Sequence, residues 1–301
     1  MKRIYFLGGI LVVFLILLPY FAGRFFVNAA ILTLLFFSIS VTWGFMAKHA
    51  WLVSLGQQIF VGVAGYTTAV LTMYYDVPLW LSVIVAGFVG MLLAGLLSFP
   101  LLRLRGFYFA IGTLVTAEIV KLLFIGWDYV GGGMGLIFRN VYGISLQALY
   151  YATVVLAFYS IFLTSFIYRS KLGFGLRALG NEEEAASGLG VNPFVCRSIL
   201  FTLASSVASF AGALYAIFHP YVEPVTFFNI NWTTGSVFVS IIGGVGTTIG
   251  PLFGSIVYVA LTYLLSEYVG LSLLLQGVIT AAFLLLCPVG LWGYLRMKLK
   301  R

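Results

Sequence analysis

Apolar runs of membrane-crossing length follow one another along this chain, and nothing else in it limits the fold so tightly. A hydrocarbon core about 30 Å thick needs roughly 17–25 residues of α-helix. Such runs stand at Ile4–Tyr20, Phe25–Phe45, Leu52–Met73, Leu79–Leu102, Phe107–Ile125, Leu146–Tyr168 and Val195–Phe218, and Leu271–Leu291 closes the series. Thr226–Leu265 is broken by glycines and holds two shorter segments. The expected fold is all-α, a polytopic membrane helix bundle of roughly eight to ten transmembrane segments, some broken by glycines. Ten holds if the broken pair crosses, eight if it dips in and returns. Either number is even, so both termini fall on one side.

Composition agrees. Of 301 residues 62% are hydrophobic and only 8% charged, against about 45–50% and about 25% for soluble domains. So few charges cannot clothe a water-facing surface, and lipid must cover most of the chain. No Ser/Pro/Gln-rich linker divides it, so 1–301 reads as a single transmembrane domain with no room for a soluble catalytic one. Met1-Lys2-Arg3 before the first apolar run suits a signal peptide, but no small-x-small cleavage site follows, and the run is taken as a retained span.

The net charge of +8 does not indicate nucleic acid, because the basic residues are dispersed between apolar runs. They report orientation instead. With the amino terminus cytoplasmic, Lys2, Arg3, Lys48, Arg103, Arg105, Arg169, Lys171, Arg177, Arg197, Arg296, Lys298, Lys300 and Arg301 all fall inside, thirteen of the sixteen. Only Arg24 and Arg139 fall outside, and Lys121 lies within a span. The expected location is a cell (inner) membrane, multi-pass, with both termini cytoplasmic. Cys196 and Cys287 are far apart without a C-x-x-C or Cys/His pattern, and His49 and His219 fall on opposite sides, so neither a metal site nor a catalytic pair is indicated. Gly244-Val245-Gly246 and Gly250 lack both the spacing and the βαβ setting of a dinucleotide fingerprint.

The longest cytoplasmic connection is then about 169–192. Three of the eight acids stand together there at Glu182–Glu184. Asn181 is a good N-cap, and Glu184 three positions on completes a capping-box-like arrangement. Gly188 and Gly190 stop the helix. The expectation is a short helix of about two turns with a small-residue face at Ala185, Ala186 and Ser187. A helix this short is marginal alone, so it either docks on a partner or is a solvated connector.

Glu184-Ala185-Ala186, three residues and then Gly190 resemble the E-A-A-x-x-x-G signature of permease subunits of ABC importers. The longer signature continues with I-x-L-P, whereas this chain has Leu200-Phe201-Thr202-Leu203 without proline. A narrower resemblance extends over most of the chain. Ser54-Leu55-Gly56-Gln57-Gln58-Ile59-Phe60-Val61-Gly62-Val63-Ala64-Gly65-Tyr66, Arg105-Gly106-Phe107-Tyr108-Phe109-Ala110-Ile111 with Glu118-Ile119, Gly212-Ala213-Leu214-Tyr215-Ala216 and Gly243-Gly244-Val245-Gly246-Thr247-Thr248-Ile249-Gly250-Pro251 are similar to the LivM type of branched-chain amino-acid ABC transporter permease. The first of these departs at Ala64 and Gly65, where glycine and alanine have changed places.

This resemblance implies a permease, not an enzyme, for leucine, isoleucine and valine. It implies that Arg177, Glu182, Glu183, Glu184, Ala185, Ala186, Gly188 and Gly190 form an ATPase-coupling loop. It further implies a second homologous permease subunit, two ABC ATPase subunits and an extracytoplasmic solute-binding protein. No Gly-Lys dipeptide occurs, so a Walker A loop is absent. ATP and Mg are expected on the partner ATPases, with no cofactor on this chain. The alternatives are an ABC permease for another small solute such as urea, or an ion-coupled secondary transporter using Glu118.

Polar groups at membrane depth usually face the bundle interior or a watery path, and glycine-interrupted segments are where backbone can line one. The candidate translocation path therefore takes in Gly56, Gln57, Gln58, Gly62, Gly65, Tyr66, Tyr108, Glu118, Gly243, Gly244 and Gly246. The glycines also suit simple close packing. Glu118 lies about 18 Å along its helix from Gly106 and is spaced to pair with Lys121, as a structural pair or as a proton relay. Ala204, Ala208, Gly212 and Ala216, like Ala86, Gly90 and Ala94, form small-residue ridges suited to close helix approach.

Overall fold

The computed structural model describes residues 15, 17–141, 143–266, 269–286 and 290–299. The Ile4–Tyr20 run lies mostly outside them, as do Cys287, Lys2, Arg3, Lys300 and Arg301. Thirteen helices follow: α1 Arg24–Ala50, α2 Gln57–Tyr74, α3 Leu79–Leu101, α4 Phe107–Ile125, α5 Leu146–Arg169, α6 Lys171–Asn181, α7 Glu183–Gly188, α8 Pro193–Phe218, α9 Pro224–Phe227, α10 Asn231–Gly243, α11 Gly250–Leu264, α12 Val269–Leu286 and α13 Gly290–Leu299. Two short strands, β1 Leu136–Ile137 and β2 Tyr221–Val222, pair antiparallel with Leu136 opposite Val222. Among the described residues, seven segments are long and apolar enough to cross a membrane. The fold is an all-α polytopic membrane bundle.

Helix α8 is the central post, packed on α1, α2, α3 and α5. Its small-residue ridge explains how. A methyl group at Gly212 would overlap the Val61 carbonyl oxygen of α2, and one at Gly90 of α3 would overlap Ser209. Without a hydrophobic drive between helices in lipid, such close backbone approach supplies the association. The ridges predicted from the sequence are packing surfaces.

Helix α1 serves as a ruler for the broken stretch. Near its carboxyl end the Cβ position of Gly44 lies 3.2 Å from the Gly246 nitrogen, and Ser240 donates to the Ser40 carbonyl at 2.9 Å. At its middle Phe36 stacks on Trp232 at 5.0 Å and touches Tyr258 at 4.5 Å. At its start Phe25 meets Tyr263 at 5.1 Å. Helix α11 thus runs antiparallel to α1 over nearly its whole length. Helix α10 begins at mid-depth, and residues 219–230 complete that crossing. The pair traverses the bundle, which supports ten crossings once the Ile4–Tyr20 run is counted.

One predicted boundary is corrected. The Leu52–Met73 run is helical only from Gln57. Trp51 adopts a left-handed backbone (φ 57°) that ends α1, and 52–56 form a non-helical strap. The Trp43 indole donates to the Ser54 carbonyl at 2.8 Å, and the Leu55 N–H donates to Thr113 Oγ1 at 2.9 Å. Side chains of two helices thereby satisfy backbone groups that a continuous helix would have satisfied itself.

Candidate coupling loop and translocation site

The connection after α5 folds as two helices, not one. Ser170 caps α6, accepting from the Gly173 N–H at 3.4 Å, and Leu176 and Leu179 bury against the bundle. Helical backbone continues through Asn181, and Glu182 takes the N-cap of α7 with no side-chain cap bond. Asn181 therefore does not stand at the N-cap position that the predicted capping box requires. The buried face of α6 carries its helical register past the position where Asn181 would have had to leave it. The spacing Leu172, Leu176 and Leu179 behind a serine is the signal that could have revealed α6.

Two arginines fix the loop to the bundle. Arg177 donates to the Tyr168 carbonyl at 2.9 Å and lies 4.4 Å from the Tyr168 ring centroid and 4.5 Å from that of Phe174, a cation–π clamp on the end of α5. Arg197 of α8 grips Glu183 through both carboxylate oxygens, at 2.9 and 3.2 Å. The hydrogen bond from Arg197 holds the Glu183 carboxyl below the usual carboxylate range, against the opposing effect of partial burial. Arg197 was missed in the sequence because it stands fourteen residues beyond its partner, inside an apolar helix.

With Glu183 engaged, Glu182, Glu184, Ala185, Ser187, Gly188, Leu189 and Gly190 remain on the outside. Ala186 turns inward and is buried, so the expected face of Ala185, Ala186 and Ser187 is divided. Gly190 has φ +90°, the left-handed region glycine tolerates. That turn lets the Val191 N–H reach the Ala186 carbonyl at 3.1 Å. The outcome is a projecting knob, acidic at one end, clamped at its root.

The candidate path residues fall in three places. Gln57 and Gln58 begin α2 deep in the bundle, beside Gly56, whose Cβ position lies 2.7 Å from the Thr113 carbonyl oxygen. The Gln57 N–H donates to Thr233 Oγ1 at 3.0 Å, and that hydroxyl donates to Gln58 Oε1. Thr233 thereby bridges the Gln57 backbone and the Gln58 side-chain oxygen. Gln58 is fully buried, and its Nε2 has no hydrogen-bond partner among the described residues. Further along α2, Gly62 and Gly65 receive the rings of Phe228 and Phe227, and Tyr66 stacks on Phe228 at 6.1 Å. The buried Tyr66 hydroxyl is likewise without a partner among the described residues. Thr233, Phe227 and Phe228 were not foreseen; a phenylalanine pair behind Pro224, at the head of the glycine-broken stretch, was the available signal.

Gly243, Gly244 and Gly246 build the turn between α10 and α11. Gly243 lies against Gly250, and Gly244 and Gly246 have φ +109° and +72°. Tyr108 and Glu118 lie on the exposed side of α4. Glu118 pairs with Lys121 at 3.3 Å, as the spacing predicted, but on the outer surface of the chain rather than inside it.

A multi-helix membrane bundle with a knob clamped at one end, and orphan polar groups deep within it, defines a membrane transport protein. Residues 21–288 match the family described as "Branched-chain amino acid transport system / permease component", and the chain belongs to that family. It is 27% identical over 312 residues to the "High-affinity branched-chain amino acid transport system permease protein LivM" of Escherichia coli (strain K12), covering 94% of this chain and 73% of that protein. It is 23% identical over 265 residues to the "Probable branched-chain amino acid transport permease protein LivM" of Methanocaldococcus jannaschii, covering 79% and 76%. To the LivH permease protein of the E. coli K12 high-affinity system it is 28% identical over 153 residues, covering 50% and 48%. No solved structure is matched.

Proposed function

We propose that this chain is the LivM-like permease of an ABC importer that carries leucine, isoleucine and valine inward across a cell membrane. The observation that carries this reading is the knob over 182–190, tied at its root by Glu183–Arg197 and by Arg177, and free at its surface. A tethered root with an open face suits an element that takes a push from another subunit. Paired ATPases would bind and hydrolyse ATP with Mg, and α6 and α7 would pass their motion to α5 and α8. A solute-binding protein would deliver the amino acid on the opposite side.

Orientation follows from charge. Lys48, Arg105, Arg177 and Arg197 gather at the knob end, which is assigned to the cytoplasm. The second permease subunit is assigned to the exposed side of α4. Glu118 is the only carboxylate within a membrane-crossing helix of the described residues, and an ion pair facing lipid is costly. Exposed stripes on α3 (Leu92, Leu96) and α5 (Val155, Phe162) are apolar and suit lipid.

The test is co-purification of the detergent-solubilised transporter with leucine uptake in reconstituted vesicles. ATPase capture that is lost on Glu184→Lys with Gly190→Trp, together with ATP-dependent leucine uptake, supports the reading. Capture unaffected by those changes, or uptake that runs without ATP, overturns it.

A further inference from the structure

We infer that the Phe228 ring occupies the seat of an aliphatic amino acid, and that the Gln58 amide is the group meeting the solute carboxylate. This rests on the reading above and locates its solute. The seat is defined by one face of α2. Gln58, Gly62 and Gly65 recur there at helical spacing, and the two glycines offer bare backbone onto which the Phe228 and Phe227 rings are laid. At one end stands the Gln58 Nε2, fully buried, with its oxygen already used by Thr233. At the other stands the buried Tyr66 hydroxyl, also unpartnered among the described residues. Two polar groups left without partners at membrane depth are costly in a protein that never uses them. Tyr66 stacks on Phe228 at 6.1 Å, and Gln58 stands one turn before Gly62, on which that ring lies.

The chemistry selects the ligand. A free NH2 group is a donor only, so it suits a carboxylate and does not hold an ammonium group. Bare glycine backbone beneath a phenyl ring offers room for a branched aliphatic side chain of similar bulk. Phe228 lies in the segment between α8 and α10, and Thr233 stands five residues on, in the first turn of α10. Withdrawal of that segment clears the Phe228 ring from Gly62, beside a Gln58 NH2 group that has no partner among the described residues. Segment and solute compete for one place, so the seat is closed whenever it is empty.

The test uses the assembled transporter without its binding protein. Phe228→Ala clears the seat, and leucine should raise the thermal midpoint of this complex. Leucinol, which has the same side chain and ammonium group but no carboxylate, should not. Adding Gln58→Met, which keeps length and removes the donors, should abolish the leucine shift. No leucine shift in a Phe228→Ala complex that still captures its ATPase overturns the inference, as does an equal shift with leucinol or with Gln58→Met. If Phe228→Ala does not assemble, Gln58→Met alone decides: leucine uptake should be lost with ATPase capture intact, and unchanged uptake overturns the inference. Leucine uptake by the unsubstituted transporter, run in parallel, reports on the importer reading separately.

Discussion

Glu183 is gripped through both oxygens by Arg197, and that geometry sets its response to pH. Its carboxyl titrates below the ordinary range in the folded protein, so the tether is fully present above the unfolded value of about 4.3. It is lost as pH falls through the lower folded value. Protection factors of the 183–190 amides, corrected for the intrinsic pH dependence of exchange, should therefore be unchanged between pH 8 and 5 and should fall below about pH 4; loss of protection already above pH 5 would contradict the tether. The Glu183 side chain is 39% exposed and that of Arg197 20%, and solvent screening limits the pair to about 0.5 kcal/mol. Glu183→Ala should loosen α7 without unfolding the bundle, read as faster proteolytic nicking there. The E-A-A-x-x-x-G resemblance marked these residues in the sequence, but which of three adjacent acids is tied down depends on where Arg197 of α8 comes to lie. Local sequence carries no such information.

Helices α2 and α8 approach until backbone meets backbone, and glycine chemistry decides where. Gly212→Ala would drive a methyl into the Val61 carbonyl, and overpacking of this kind costs about 1–3 kcal/mol. The thermal midpoint in detergent should fall. Gly188→Ala, with nothing within 4 Å of its Cβ position, should leave it unchanged. A fall in both, or in neither, would mean that the α2–α8 contact is not the tight one. Most elements were legible as apolar runs, since length and hydropathy alone select a crossing helix. The strap over 52–56 was not, because its residues are as apolar as a span. Trp43 and Thr113 hold it open through contacts invisible along the chain. For the same reason the Asn181 cap failed, with α6 overriding a local preference through its own buried face.

For the molecule as a whole, two placements can be measured. Cysteines at Thr248 and Ser170 should label from the cytoplasmic face and one at Gly133 from the opposite face; labelling of all three from one face would refute the assigned orientation. A photo-crosslinker at Val115 or Leu122 on the Glu118 side of α4 should yield a permease–permease adduct, and one at Leu92 or Phe162 only lipid adducts. The reverse result would move the subunit contact elsewhere. The sequence alone determined the lipid environment, the succession of spans, the charge bias that favours one orientation and the knob segment. Each of those is set by composition or spacing within a window no longer than one helix. Only the tertiary structure decided that Gln58 is left with free donors, that Phe228 lies on Gly62, that Arg197 takes Glu183 and that Glu118 faces outward. Those facts depend on which helices become neighbours and in what rotation about their axes, and in lipid that is settled by steric fit between backbones rather than by hydrophobicity.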